Sequence, residues 1–269
     1  MQRILSCPYF RKAFGWCIPI GGLAGLIGLG GGEFRLPVLM HVVGFGAKAA
    51  VPLNLMVSLV TLSFALVIRS GAISLGSVLP YLPDVIGLAA GGILSAFYGA
   101  RVVSAINGAQ LVKNIAAMLA VLGALLLVEV AFPFRQLHAL PDDAAVHVAV
   151  GFAVGIGIGL VSSMLGVAGG ELLIPTLMFV FGADIRVAGS ASILISVLVV
   201  LSGLYRYWRL DAIPKGRGVY RISAAMSAGS ILGALLGGLA VAYAPVDFLK
   251  VLLGCVLLAA AVKTMAHRK

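Results

Sequence analysis

The chain has 269 residues, of which 61% are hydrophobic and only 10% charged, with a formal net charge of +10. Soluble domains carry about 25% charged residues, so this chain lacks the polar surface to face water on all sides and reads as an all-α polytopic membrane protein. Its three cysteines (Cys7, Cys17, Cys255) and four histidines (His41, His138, His147, His267) show no ligand-like spacing, which argues against a metal, a cofactor or a disulfide framework, and its basic residues gather in loops as membrane topology demands rather than as a nucleic-acid surface.

The opening stretch, MQRILSCPYFRKAFGWCIPIGG, places basic residues before an apolar run in the manner of a signal peptide. It lacks a small-x-small cleavage site followed by a polar chain, and the reading is a retained first helix. Apolar runs predict eight spans, at about 14–30, 47–69, 84–105, 109–130, 145–165, 184–207, 218–241 and 247–264. EFRLPVLMHVVGFG, between the first and second spans, is apolar but short, and is predicted to be a re-entrant half-helix. ELLIPTLMFVFG, between the fifth and sixth, is predicted to be another. The stretch FPFRQLHALPDDAAV, with its two prolines and its charges, is the one convincing linker, placed at 134–144.

The two halves match each other. A shift of 138 residues lays GLGGGEFRLPVLMHVVG over GVAGGELLIPTLMFVFG, so that Glu33 falls on Glu171 and Pro37 on Pro175. The same shift, without gaps, pairs Ser58 with Ser196, and Gly91, Ser95 and Gly99 with Gly229, Gly233 and Gly237. A shared G-G-E-x-x-x-P is hard to obtain by chance in an apolar chain. The reading is an internal duplication, 1–133 and 145–269, each half a four-helix repeat with a Gly-broken first helix and a short re-entrant half-helix. With eight spans both termini lie on the side that holds the larger share of Lys and Arg, and are expected to be cytoplasmic. An even number of spans per half makes the repeats parallel; a short segment that crosses fully makes them inverted.

Lipid forbids unpaired backbone groups, so a broken helix at membrane depth must face protein or a wet cavity. Glycine permits the turn, and the prolines are expected near the start of the new helix, where a missing N–H costs least. The first N–H groups of that helix are unpaired and carry the positive end of its dipole. Two such ends, one per repeat, form an expected anion site. Gly28, Pro37, Gly166 and Pro175 are its expected structural residues; Gly30, Gly31, Gly32, Gly169 and Gly170 line it.

At these residues the sequence resembles the TauE/SafE, or sulfite exporter, family of membrane transporters. The resemblance rests on Gly28, Gly30, Gly31 and Gly32 before Pro37, repeated as Gly166, Gly169 and Gly170 before Pro175, with Ala168 in place of one glycine. It implies secondary transport, often outward, of small sulfur-containing anions such as sulfite, sulfoacetate and organosulfonates, in a bacterial cytoplasmic membrane and in a fold that commonly dimerises. One departure is notable: the position after the glycines, apolar in the family pattern, is acidic twice here, as Glu33 and Glu171.

Those glutamates have three readings. They complement a helix N-terminus, they are protonatable intramembrane carboxylates that couple substrate to H⁺, or they contact a cation or a substrate amine. Arg35 has no counterpart, since Leu173 fills its place; a local ion pair with Glu33 is the simple reading and oxyanion recognition the alternative. Lys48 and Arg186 align near the starts of spans and are expected to snorkel to the outer interface, with attraction or binding of an anion at the mouth as the alternative. Asn54 and Ser58 align with Ser192 and Ser196 on one helix face; with Ser190 they either bond between helices or line the substrate path. The Gly91 and Gly229 ladders are expected to pack helices closely. His147, Asp142 and Asp143, in or near the linker, are expected to be solvated. The sequence contains no Walker motif and no H-E-x-x-H. The expected function is therefore a non-enzymatic secondary transporter of a small anion, with an anion channel or a non-transporting assembly subunit as alternatives.

Overall fold

The computed structural model describes residues 7–27, 30–72, 75–105, 108–132, 141, 143–183 and 185–240, with single residues and pairs between 245 and 265. An apolar chain in lipid must close its backbone hydrogen bonds within each segment, and the described residues form helices and connecting turns, with no strand among them. The helices are α1 (Cys7–Ile27), α2 (Gly32–Pro37), α3 (Ala47–Ala72), α4 (Leu82–Ala105), α5 (Gly108–Ala131), α6 (Ala144–Leu165), α7 (Gly170–Phe179), α8 (Ile185–Arg209) and α9 (Arg217–Ala240). A wide π turn, Val38–Val42, continues α2, and a 3₁₀ segment, Leu75–Tyr81, leads into α4. Among the described residues five stretches are long and apolar enough to cross a bilayer: Ala47–Ile68, Gly76–Tyr98, Ala144–Ser163, Val187–Arg209 and Arg217–Gly237. The expected span at 247–264 and the linker at 134–144 fall largely outside the described residues.

Helix starts repeat at the spacing of the sequence match. Helices α2 and α3 begin at Gly32 and Ala47, and α7 and α8 at Gly170 and Ile185. Packing repeats as well. Helix α1 lies on α9 and α4 lies on α6, so each close pair takes one helix from either half of the chain. Small residues set the approach. A Cβ on Gly91 would run into the Phe152 carbonyl, and one on Gly229 into the Phe14 carbonyl; both partners are again 138 residues apart. Gly159 against Gly92 repeats as Gly21 against Ser230, and Gly233 and Gly237 meet Ile18 and Gly22. The halves therefore interlock instead of lying side by side.

One expectation is corrected at this level. His147 is part-buried and paired instead of freely solvated: its Nδ1 lies 2.6 Å from Asp84 Oδ1, and its ring packs against Phe181; Asp142 lies outside the described residues. Asp84, in the first turn of α4, is buried, and the pair ties α4 to α6 near their starts. Asp143 does stay exposed, and caps α6 by accepting from the Ala145 N–H at 2.9 Å.

Candidate functional site

Both glycine breaks are turns through the left-handed region. Gly31 (φ 63°) precedes α2 and Gly169 (φ 79°) precedes α7, a conformation that costs an L side chain roughly 1–2 kcal/mol. Gly32 and Gly170 are the first residues of the short helices, and Gly166 (φ 68°) ends α6. The breaks touch: a Cβ on Gly30 would collide with that of Ala168, its counterpart in the other half. Gly28 lies outside the described residues. The prolines are not near the start of their helices, as expected, but inside them: Pro37 closes α2 and Pro175 is the sixth residue of α7. Each removes the N–H that would have bonded the carbonyl of Glu33 or Glu171 four residues back. After Pro37 the chain widens into the π turn, where the Val43 N–H donates to Val38 O at 3.0 Å.

The first break encloses a charge. Arg35 is fully buried, and among the described residues its guanidinium donates only to neutral oxygens. Nε reaches Asn54 Oδ1 at 3.4 Å, Nη1 reaches Thr61 Oγ1 at 3.2 Å and Ser230 Oγ at 3.1 Å, and Nη2 reaches Ser58 Oγ at 2.7 Å and the Gly30 carbonyl. Asn54 holds both breaks at once, donating through Nδ2 to Gly32 O and to Gly166 O, each at 2.6 Å. The expected Arg35–Glu33 ion pair is absent: both Glu33 carboxylate oxygens are buried without a hydrogen-bond partner. In place of that pair, acceptors from α3 and α9 and the Gly30 carbonyl occupy the guanidinium donors.

The second break has the same backbone and different contents. Leu173 stands in place of Arg35, Val199 in place of Thr61 and Gly92 in place of Ser230. Ser192, opposite Asn54 in the repeat, is buried but bonds back to Gly189 O at 3.0 Å. Ser196, opposite Ser58, is buried with an unpartnered hydroxyl, and Ser190 is buried on the same helix. Glu171 is buried with both carboxylate oxygens unpartnered, as in Glu33. Of the residues expected to line a substrate path, the structure thus joins Gly30, Gly32, Asn54 and Ser58 in one network, together with Gly166, expected as a structural residue of the break. Among the described hydrogen bonds, Ser192, Gly169 and Gly170 lie outside that network. Lys48 is exposed, in keeping with an interfacial position, and the Arg186 side chain lies outside the described ones.

Thr61 and Ser230 escaped the sequence reading. The available signal was the repeat itself: Arg35, Thr61 and Ser230 are all polar where their counterparts, Leu173, Val199 and Gly92, are not.

No curated protein and no solved structure matches the chain. A family model described as Sulfite exporter TauE/SafE matches residues 150–269, a stretch that contains Gly166, Gly169, Gly170, Glu171 and Pro175. The chain therefore carries, at residues 150–269, a domain of the TauE/SafE sulfite exporter family.

Proposed function

We propose that this chain is a secondary transporter, not an enzyme, that moves a small sulfur-containing anion such as sulfite, sulfoacetate or another organosulfonate out of the cell across a bacterial cytoplasmic membrane. The observation that carries the reading is the pair of touching glycine breaks, buried in an all-helical membrane fold and lined by Arg35, Asn54, Glu33 and Glu171. Irregular backbone and buried polar groups are expensive in lipid, and transport sites are where such chains keep them. Two interlocked repeats of four spans, moving against each other, would expose the breaks to either side in turn, with both termini cytoplasmic. The repeated contacts between α1 and α9 and between α4 and α6 support that layout. A second copy of the chain is the expected oligomeric partner.

Glu33 and Glu171 are proposed as the proton carriers. Each is a buried carboxylate one residue inside a break, and intramembrane carboxylates that face a bundle interior are the groups that serve as proton relays. In proteoliposomes, flux of sulfite or sulfoacetate is expected to saturate and to respond to a proton gradient. The double substitution Glu33→Gln, Glu171→Gln is expected to abolish the response to the gradient; unchanged gradient-driven flux in that variant would remove the coupling. Flux that does not saturate and cannot be driven uphill would identify a channel. A stoichiometric partner recovered with a chain that shows no flux would identify an assembly subunit.

A further inference from the structure

We infer that the Arg35 guanidinium is the oxyanion-binding group of the transport site, and that the hydroxyls of Thr61 and Ser230 are the partners an entering anion displaces. The inference rests on the transport reading above and assigns its substrate contact to one half of the molecule.

Three observations converge. First, the charge is not needed to build the break. Helices α2 and α7 start from the same left-handed glycine turn, and where α2 carries Arg35, α7 carries the equally buried Leu173. Burying a guanidinium is expensive, and pairing it with a carboxylate is the usual compensation. Here its acceptors among the described residues are hydroxyls, an amide oxygen and a backbone carbonyl, and the nearby Glu33 carboxylate is not bonded to it. The positive charge is solvated but not neutralised. A negatively charged ligand interacts with it more strongly than any of these neutral oxygens does.

Second, the acceptors come from both halves of the chain. Gly30, Asn54, Ser58 and Thr61 precede the linker, whereas Ser230 lies on α9, 195 residues from Arg35. Nη1 bridges Thr61 on α3 and Ser230 on α9. Any displacement of α9 against α3 breaks that bridge and frees an Nη1 donor, so the movement that would change access also changes what Arg35 can hold. Displaced hydroxyls remain useful, because Ser and Thr donate to an anion as readily as they accept from a guanidinium.

Third, the shape of the fork selects the ligand class. Nη1 and Nη2 lie in one plane and suit two oxygens of one group, as in sulfite, a sulfonate or a carboxylate. A spherical halide cannot use both donors in that way. The site is thereby expected to prefer oxyanions over chloride, with discrimination between sulfur oxyanions and carboxylates left to the surrounding hydroxyls.

The test transplants the second break into the first. The triple variant Arg35→Leu, Thr61→Val, Ser230→Gly gives the first break the residues that already stand at the matching positions of the second, which favours a folded product. Purified wild type and variant are titrated with sulfite, sulfoacetate, acetate and chloride, following the melting temperature and, in liposomes, saturable flux. In the wild type, sulfite or sulfoacetate is expected to raise the melting temperature and chloride is not. In the triple variant that stabilisation is expected to vanish and KM for sulfite or sulfoacetate to rise by about 100-fold or more, the scale of a lost charge-assisted pair. Arg35→Lys keeps the charge and loses the fork, and is expected to raise KM about tenfold and to narrow the preference over chloride. Wild-type KM in the folded triple variant, or in folded Arg35→Lys, overturns the inference while leaving the transport reading intact. Absence of saturable flux and of stabilisation in the wild type overturns the transport reading and this inference with it.

Discussion

The two glycine breaks share a backbone and differ in what they hold. Each has a left-handed glycine before a short helix, a buried glutamate in the first turn and a proline inside. Around the first are a buried guanidinium and five neutral acceptors; around the second the matching positions are Leu173, Ala168, Val199, Gly92, Ser192 and Ser196. What both halves keep is what the fold requires in lipid, the turn and the close helix contact. What only one half keeps is not required by the backbone, and chemistry is the place to look for its use.

The comparison is broken most severely at Asn54. Asn54→Leu removes donors from two buried carbonyls, Gly32 O and Gly166 O, and an acceptor from Arg35. At about 1–3 kcal/mol for each buried group left unsatisfied, partly recovered by relaxation, a loss of about 2–4 kcal/mol is expected in thermal or denaturant unfolding in detergent. Its counterpart Ser192→Ala loses only a bond to its own helix, and is expected to cost less than about 1 kcal/mol. Equal costs at the two positions would mean that the network around the first break is not a unit.

Next come the glycine turns, where the halves are expected to respond alike. An added Cβ meets Ala24 and Ile20 at 3.2 Å at Gly31, and Ile158 at 3.2 Å at Gly169, and both positions have positive φ. Gly31→Ala and Gly169→Ala are each expected to destabilise by about 1–3 kcal/mol, by backbone strain and crowding. Clearly unequal losses would show that the two turns are not equivalent in the folded protein.

How much of this was legible follows the same division. The apolar runs located the long helices well, because bilayer thickness and backbone pairing leave little choice of length or type. The run at 109–130 became Gly108–Ala131 and that at 145–165 became Ala144–Leu165. The breaks were legible because G-G-E-x-x-x-P stands out in an apolar chain. The contents of the first break were not. Periodicity tells which face of α9 is small, not that Ser230 on that face meets an arginine 195 residues away. The position of the prolines was misjudged because a rule for isolated helices places them in the first turn, whereas after Pro37 the backbone accommodates the missing N–H by widening into a π turn.

A smaller asymmetry lies at the start of the α4–α6 pair. Asp84 and His147 join these helices at 2.6 Å, while Ile222 stands at the place of Asp84 in α9. Asp84→Asn is expected to cost about 1–2 kcal/mol, since the aspartate is buried but its partner is part-exposed and screened by water. The loss should appear as earlier hydrogen exchange in the first turns of α4 and α6, with α1 and α9 unaffected. Equal loosening of both helix pairs would mean that the pair stabilises the whole fold and not one contact.

The smallest expected effect discriminates most finely. Ser58 accepts from Arg35 Nη2 at 2.7 Å, whereas the buried hydroxyl of Ser196, at the same place in α8, has no partner. Interhelical hydrogen bonds in membrane proteins contribute on average only about 0.6 kcal/mol, and up to about 1.7 kcal/mol. Ser58→Ala is therefore expected to destabilise by about 1 kcal/mol, its bond being to a charged group. Ser196→Ala removes a polar group that is buried and unpaid, and is expected to leave stability unchanged or raise it slightly. Stability alone then gives no reason for a serine at 196. If Ser196→Ala nonetheless lowers the rate of anion flux, the hydroxyl acts in a conformation in which α8 faces the ligand, and the second break joins the transport path after the first has bound. If flux is unchanged, anion contact is confined to the first break and the second serves as its structural counterpart.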